Sequence, residues 1–231
     1  MKKSVIPAVI ALSVIGVAQG GDFGGKGLAP LPPPVMENCL SYDFIDLEYG
    51  INDFGDNFAD EGELYGVGFS KSIGSNLFVT GGYAFGGYDF DWGRELLDVN
   101  VDRYRLGIRG RRSLAKCVDL TLEGGFEHTD AEYERNSHLD YDSWGYYVGP
   151  GLRARTGRLE LFAKAFFVGR EGDLSQQYLA MMTSDCLGVD EDGWLFTTGL
   201  IFHLTEQLGL KLAGEFGEND NLYTGGIRYE F

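Results

Sequence analysis

The last eleven residues of the chain, 221–231, alternate strictly between two kinds of side chain. One face carries Tyr223, Gly225, Ile227, Tyr229 and Phe231, and the other carries Thr224, Gly226, Arg228 and Glu230. A period of two is that of a β-strand. A soluble strand with this pattern turns its rings into a core, whereas a strand of a membrane barrel turns its rings to lipid and its charges to a polar lumen.

Nine earlier segments repeat the alternation, charges on the second face included. The ten predicted strands cover residues 41–51, 62–72, 77–88, 100–110, 118–129, 143–154, 158–169, 194–204, 208–217 and 222–231. Each is close to the roughly 9 to 11 residues that a tilted strand needs to cross a bilayer. Helical periodicity is nowhere sustained. We therefore predict an all-β fold, a transmembrane antiparallel up-and-down β-barrel of about ten strands, with eight strands as the alternative.

The connections between the predicted strands alternate in length. Short ones fall at 73–76, 111–117, 155–157 and 205–207, and longer ones at 52–61, 89–99, 130–142 and 170–193, with 218–221 a short member of the long class. Outer-membrane barrels have short periplasmic turns and longer external loops, which places both chain ends in the periplasm. The net charge is −16, and the excess acid falls in the long connections. An acidic surface of this kind excludes nucleic acid as an expected partner.

The start of the chain has the features of a secretory signal peptide. Lys2 and Lys3 precede an apolar stretch at 5–17 and a small-residue cleavage site at 18–20, which is the order expected of an export signal. We predict a signal peptide at 1–20, a Gly/Pro-rich periplasmic linker at 21–40 and an outer-membrane β-barrel at 41–231. The expected location is the outer membrane of a Gram-negative type bacterium, after cleavage of the signal peptide.

The polar face of the predicted strands is dense in charge and in glycine. An isolated buried ion costs several kcal/mol, so these charges must be paired or hydrated. We predict an ion-pair network in the lumen, formed by Asp46, Glu48, Arg103, Arg105, Arg109, Asp119, Glu123, Glu127, Arg153, Glu160, Lys164, Lys211, Glu215, Arg228 and Glu230. The alternative is a soluble sandwich with a solvated charged face, although that face is unusually glycine-rich for one in contact with water. Barrels of about eight strands have filled interiors, so ten strands favour a narrow or gated path over a wide pore.

Candidates for catalysis are few. His128 and His138 each have an aspartate two residues away, and a histidine paired with a carboxylate could activate water for a rim hydrolase of the omptin kind. A deacylase would need His128 with Ser137 or Ser143, and no spacing requires that arrangement. We assign no catalytic residue and expect no enzymatic activity.

No cofactor and no dedicated metal centre are predicted. Asp190, Glu191 and Asp192, followed by Gly193, form a cluster that resembles part of a calcium loop. Calcium needs about six to eight oxygens, and the regular ligand spacing of an EF-hand is absent. A weak surface cluster for divalent cations is therefore expected, which could bridge to lipopolysaccharide phosphates.

The three cysteines are an odd number for an exported chain. Cys39 and Cys117 both fall on the predicted periplasmic side, which is oxidising. A disulfide between them would tie the linker across the barrel floor. Bridged Cα atoms must approach within about 7 Å, and the first and fifth strands are not neighbours in a ten-strand ring, so free thiols or a link to another chain stay open. Cys186 would be unpaired.

The signal peptide, the alternating strands, the acidic outer loops and the ending at residues 226–231 resemble the small outer-membrane β-barrel families grouped around OmpX, OmpW and the OmpA transmembrane domain. The resemblance covers 41–231 in architecture, and only the carboxyl end is a specific motif. It implies that the final strand is the signal read by the barrel assembly machinery. That role falls on Tyr223, Ile227, Tyr229 and Phe231.

These observations favour a non-enzymatic, monomeric outer-membrane barrel that contributes to envelope integrity or surface interaction. Its expected partners are the lipid bilayer, lipopolysaccharide and, during biogenesis, the barrel assembly machinery. A narrow, cation-preferring, porin-like channel is the first alternative, because the outer loops are acidic. A rim hydrolase is the second.

Overall fold

A computed structural model describes residues 39–53, 62–92, 95–133, 141–173, 192–217 and 221–231. The predicted signal peptide, most of the predicted linker, His138, Ser137, Cys186, Asp190 and Glu191 lie outside these ranges. Within them, no helix has the length and apolar character required of a membrane span.

Ten strands form a closed antiparallel barrel, as predicted, and the eight-strand alternative is wrong. The strands are β1 (Phe44–Asp53), β2 (Gly62–Ser72), β3 (Leu77–Trp92), β4 (Glu95–Ala115), β5 (Val118–Tyr133), β6 (Tyr141–Thr156), β7 (Leu159–Asp173), β8 (Asp192–His203), β9 (Leu208–Phe216) and β10 (Asn221–Glu230). Each pairs with its neighbours in sequence. The ring closes where β1 pairs with β10, with Phe44 opposite Glu230 and Asp53 opposite Asn221.

Two strands are much longer than the alternation indicated. β3 and β4 continue to a pairing of Trp92 with Glu95, so most of the predicted connection at 89–99 is paired strand. The sequence did not show this because the alternation is reversed in polarity there. Asp98 and Asn100 have the outward parity of Tyr104 and are exposed, whereas Val99 has the inward parity and is 1% exposed. An acid-rich stretch of this kind resembles a loop in sequence.

The distribution of polar and apolar side chains is the reverse of that in a soluble protein. Large apolar side chains point outward and are well exposed, including Leu47 at 59%, Leu122 at 61% and Phe126 at 68%. Charged side chains point inward and are buried, among them Glu127 at 2% and Glu160 at 0%. Soluble domains almost never bury such residues without a specific reason.

Glycines on the inner face make room for bulky neighbours. A Cβ atom placed on Gly107 or Gly125 would collide with the hydroxyl of Tyr147. That ring lies inside the barrel, edge-on to Phe166, with ring centroids 5.4 Å apart. The absent side chains of β4 and β5 therefore leave the space that the Tyr147 ring of β6 occupies.

Candidate functional site in the barrel lumen

The register of β4 and β5 brings opposite charges together on the inner face. Arg105 lies directly opposite Glu127, and Arg109 lies opposite Glu123. Directly opposed residues of antiparallel strands have Cβ atoms about 4.5 to 5.5 Å apart. The register of this hairpin therefore places the bases of β4 next to the acids of β5, where they form ion pairs.

Glu127 binds Arg105 and a second base, Arg170 on β7. It accepts a hydrogen bond from Arg105 Nε at 2.9 Å and one from Arg170 Nε at 2.6 Å. Arg105 also donates through both terminal nitrogens to Glu215, each at 3.4 Å, and Arg103 lies 3.8 Å from the same carboxylate. These side chains connect β4, β5, β7 and β9 across the lumen.

A second carboxylate, Glu123, is bound by side chains from three other strands. It is bound by Arg109 through Nε at 2.9 Å and Nη2 at 2.7 Å, by Lys164 Nζ at 3.2 Å and by the Thr80 hydroxyl at 3.0 Å. We call these groups the basic band: Arg103, Arg105, Arg109, Lys164 and Arg170 around Glu123, Glu127 and Glu215. Five bases share three carboxylates, which leaves two positive charges unmatched among these groups.

Nearer the short turns, the ion pairs are balanced around Asp46. Arg228 donates to it through Nε and Nη2, each at 2.7 Å. Lys211 donates to Asp46 at 3.0 Å and to Glu48 at 2.5 Å. Beside them, Arg153 donates twice to Glu160 Oε1, at 2.9 and 2.6 Å. Removing one partner of a buried pair of this kind costs about 3 to 5 kcal/mol.

Each predicted network residue other than Glu230 makes an ionic contact in the part of the chain that the structure describes. The sequence missed three polar side chains that join them, Arg170, Thr80 and Tyr42. Arg170 has the inward parity of Glu160 and Lys164, and it was assigned to a loop because the predicted seventh strand ended at residue 169. Tyr42 was assigned to the first strand rather than to a separate element.

Residues 39–43, which we call the floor segment, run across the lumen before β1 begins. The structure joins Cys39 to Cys117 in a disulfide with Cα atoms 4.9 Å apart. The strands β1 and β5 are not neighbours in the ring, and the segment bridges between them because its residues extend inward across the barrel. Leu40 and Tyr42 are each only 3% exposed as a result.

Tyr42 fixes the floor segment to several strands. Its hydroxyl donates to Asp119 Oδ2 at 3.0 Å, and its ring stacks on Phe78 with centroids 4.4 Å apart. The Arg153 guanidinium lies 4.4 Å from the ring centre and donates to the Ser41 carbonyl at 3.0 Å. Burial, the largest influence, raises the pKa of Tyr42 to about 12, although the positive charge of Arg153 opposes it.

Asp43 fixes the other end of the segment. It accepts hydrogen bonds from Lys71 Nζ at 2.8 Å, from the Ser72 amide at 2.6 Å and from the Ser72 hydroxyl. Slight burial acts to raise the pKa of Asp43, and these donors outweigh it and lower the pKa below its ordinary value. The floor segment is thus tied at Cys39, Tyr42 and Asp43.

A cavity of about 280 Å³ lies in the lumen. Its lining includes Phe44, the Asp46 partner Arg228, and Arg103, Lys164 and Glu215 from the basic band. The volume is near the lower end of the range for small-molecule sites, about 300 to 1,000 Å³. A narrow cavity with charged walls suits water, ions or a small polar solute.

His128 is at the rim, on the outer face. Its Nδ1 atom lies 3.2 Å from the Ser143 carbonyl oxygen and 3.3 Å from Asp142 Oδ1. The imidazole is stacked between the rings of Trp144 and Tyr104, with centroids 4.4 and 6.0 Å away. The Ser143 side chain is buried on the inner face, so the structure does not bring the His128 imidazole and the Ser143 hydroxyl together. This environment is that of an aromatic girdle.

The four predicted assembly-signal residues share the outer face of β10 and its end. Tyr223, Ile227, Tyr229 and Phe231 are all exposed. The rings of Tyr229 and Phe231 stack with centroids 6.5 Å apart, and Lys71 Nζ lies 4.7 Å from the Phe231 ring centre. The four side chains therefore belong to the apolar exterior of the barrel.

Together, the exterior and the interior define the class of protein. A closed barrel of ten antiparallel strands carries aliphatic and aromatic side chains outside and ion pairs inside. Hydrocarbon is the solvent that suits such an exterior, and closure leaves no unpaired strand edge within it. The chain is a small integral β-barrel of the outer-membrane type.

No protein-family model matches the chain, and no characterised protein matches it by sequence. Among solved structures it is similar to a KdgM porin in complex with disordered oligogalacturonate, at 11% identity, covering 81% of this chain and 99% of that one, with a TM-score of 0.42. The β domain of the Bordetella autotransporter BrkA gives 10% identity, coverage of 81% and 98%, and a TM-score of 0.48. The attachment invasion locus protein Ail of Yersinia pestis is 11% identical, with coverage of 81% of this chain and 96% of that one and a TM-score of 0.37. These TM-scores lie below 0.5, so the class stated above depends on the chain's own exterior and interior.

Proposed function

We propose that this chain is a non-enzymatic outer-membrane barrel whose lumen is closed at the short-turn end, and that it contributes to envelope integrity or surface interaction through its long loops. The observation that supports this most is the floor segment. Residues 39–43 cross the lumen and are tied by the disulfide of Cys39 with Cys117. Above them lie the ion pairs around Asp46 and those of the basic band.

Export and assembly belong to the same proposal. The signal peptide at 1–20 is cleaved, the linker lies in the periplasm up to residue 38, before the floor segment begins, and the exposed outer face of β10 is read by the assembly machinery. The mature protein is a monomer in the bilayer. Its acidic loops, which include Asp190, Glu191 and Asp192, bridge through divalent cations to lipopolysaccharide phosphates.

The loop proposal is tested by calcium titration of the refolded protein. The intact chain should bind calcium more tightly than a variant in which Asp190, Glu191 and Asp192 are replaced by Asn, Gln and Asn. Equal binding by the two proteins would remove this cluster from the proposal. Lipopolysaccharide-containing vesicles then show whether the same substitutions weaken association with the lipid.

Conductance in planar bilayers tests the closed lumen. We expect the oxidised protein to give no steady current, and a variant with Cys39→Ser and Cys117→Ser to open intermittently because its floor segment is no longer tethered. Cys186→Ser is the matched control, because it removes a thiol and leaves the disulfide intact. Steady conductance by the oxidised protein would contradict the closed lumen.

A narrow channel is the second candidate, supported by the cavity of about 280 Å³. Its selectivity would be set by the basic band, which has five bases for three carboxylates. A constriction with excess positive charge favours anions, which is opposite to the cation preference that the acidic loops indicated. The reversal potential in a KCl gradient distinguishes the two, and Arg103→Gln should shift it toward potassium if the band controls selectivity.

A further inference from the structure

Three buried side chains meet at the lower wall of the lumen, and we call them the floor triad: Glu160 on β7, His203 at the end of β8 and Glu230 at the end of β10. Their exposed fractions are 0%, 1% and 5%. Each has a ligand atom within 4.8 Å of the other two. No lumen function described above uses this convergence.

A glycine on the intervening strand explains how the triad forms. Gly209 of β9 is opposite His203 on one side and Arg228, two residues before Glu230, on the other. A Cβ atom on Gly209 would lie 3.7 Å from His203 Nδ1 and would collide with Ile201. Because that side chain is absent, space is left beside the imidazole. The Glu230 amide donates to the Gln207 carbonyl at 2.7 Å, which fixes this end of β10 against the turn.

Two polar atoms of the triad lack a hydrogen-bond partner among the described residues: His203 Nδ1 and Glu230 Oε1. Buried polar atoms are nearly always paired, and each exception requires an explanation. The third member is already oriented, because Glu160 Oε1 accepts two hydrogen bonds from Arg153. This leaves Glu160 Oε2 for His203, whose Nε2 lies 3.4 Å away.

Glu160 Oε2 faces His203 Nε2, so an ion bound by both residues takes the Nε2 lone pair and leaves the imidazole proton on Nδ1. Glu230 Oε1 is then the buried lone-pair donor that still lacks a partner among the described residues. A metal ion accepts lone pairs from several directions at once, so it satisfies Glu230 Oε1 together with Glu160 Oε2 and the imidazole.

The charges near the triad also favour a bound cation. Glu160 and Glu230 bring two negative charges, and Arg153 matches one of them. The neighbouring Arg228 and Lys211 are engaged by Asp46 and Glu48. With His203 neutral, as a metal ligand must be, one negative charge of the triad is unmatched by the side chains around it, which favours a cation at this position.

We propose that Glu160, His203 and Glu230 bind one divalent transition-metal ion, with zinc as the best fit. One imidazole and two carboxylates suit zinc, cobalt or nickel, whereas calcium and magnesium prefer oxygen ligands only. Water completes the coordination. The ion joins β7, β8 and β10 beside the floor segment and stabilises the barrel wall there.

Cobalt substitution tests the site, because Co²⁺ reports its ligands by visible absorption. The full chain is refolded in detergent with Co²⁺ and with millimolar Ca²⁺ to occupy the acidic loops. We expect one Co²⁺ per chain with ligand-field bands, and displacement of it by Zn²⁺. His203→Ala should abolish the bands, and Glu230→Gln should weaken binding at least tenfold. His128→Ala, which removes a histidine from the rim, should leave the ligand-field bands and the affinity for Co²⁺ unchanged.

The proposal is overturned if the wild-type protein refolded with Co²⁺ holds no stoichiometric metal. It is also overturned if His203→Ala binds Co²⁺ as the wild type does. If the variants do not fold, paramagnetic shifts of the His203 imidazole in the wild-type protein give the answer. Shifts confined to His128 or His138 would contradict the site.

Discussion

Tyr42 donates a hydrogen bond to Asp119 at 3.0 Å, although 77 residues separate them in the chain. Asp119 also accepts from the Ser113 hydroxyl at 2.7 Å and lies 3.5 Å from Arg111. This contact joins the floor segment to the wall formed by β4 and β5. The hydrogen bond and the disulfide of Cys39 with Cys117 therefore hold the same segment against the barrel wall.

Tyr42→Phe should destabilise the folded barrel while keeping the ring stack on Phe78. We expect a loss of about 1 to 2 kcal/mol in the free energy of unfolding, because a buried hydrogen bond to a charged acceptor disappears. Urea unfolding in lipid vesicles measures this. Tyr229→Phe is the matched control, since that ring is exposed on the outer face. A control that loses as much stability as Tyr42→Phe would contradict the proposed anchoring.

The same phenol predicts a dependence on alkaline pH. The pKa of Tyr42 is raised to about 12 in the fold, against about 10 in an unfolded chain. A raised pKa means that its contribution to stability is complete below pH 10 and is lost as the pH rises from about 10 to 12. Unfolding of wild type and Tyr42→Phe, measured from pH 8 to 12, should converge over that window. A constant difference would show that the phenol does not titrate as described.

Glu127→Gln should be among the more damaging substitutions in the lumen. Glu127 is 2% exposed and accepts from Arg105 and Arg170, so its removal leaves buried guanidinium groups with less compensation. The expected loss is about 3 to 5 kcal/mol. Glu48→Gln is the control, because Lys211 retains Asp46 as a partner. Similar losses for both would indicate that the lumen is hydrated enough to screen its charges.

Gly125→Ala tests the close packing inside the barrel. The added methyl group would lie 2.7 Å from the Tyr147 hydroxyl and collide with the backbone of β4, so we expect a loss of about 1 to 3 kcal/mol. Gly74→Ala should be nearly neutral, because nothing lies within 4 Å of that position. Urea unfolding and the yield of refolded protein measure both. Equal behaviour of the two variants would argue against a packed interior.

The sequence predicted the barrel well because membrane and lumen impose opposite demands on the two faces of each strand. Leu122 and Glu123 are neighbours in the chain, and one is 61% and the other 7% exposed. The same rule identified the lumen charges by parity. It failed for the upper part of β4, where the polar Asp98 and Asn100 have the outward parity and the buried Val99 has the inward parity.

The partners within the lumen were beyond the reach of sequence. Pairing of Arg105 with Glu127 depends on the register of a hairpin, and pairing of Arg105 with Glu215 depends on contact across the closed ring. The bond of Cys39 with Cys117 depends on a short segment crossing the lumen, which has no periodic signature. The floor triad is drawn from three strands, and 43 residues separate Glu160 from His203.

A membrane barrel requires that hydrocarbon covers the outer face of its strands and that the inner face is shielded from hydrocarbon. Spin labels on single cysteines along β5, introduced at residues 120 to 127 in a Cys186→Ser background and in lipid vesicles, test this directly. We predict that accessibility to oxygen, which concentrates in the bilayer, alternates with a period of two and is high at Leu120, Leu122 and Phe126 and low at Thr121, Glu123 and Glu127. No alternation, or a preference of the even positions for a water-soluble reagent, would contradict the account.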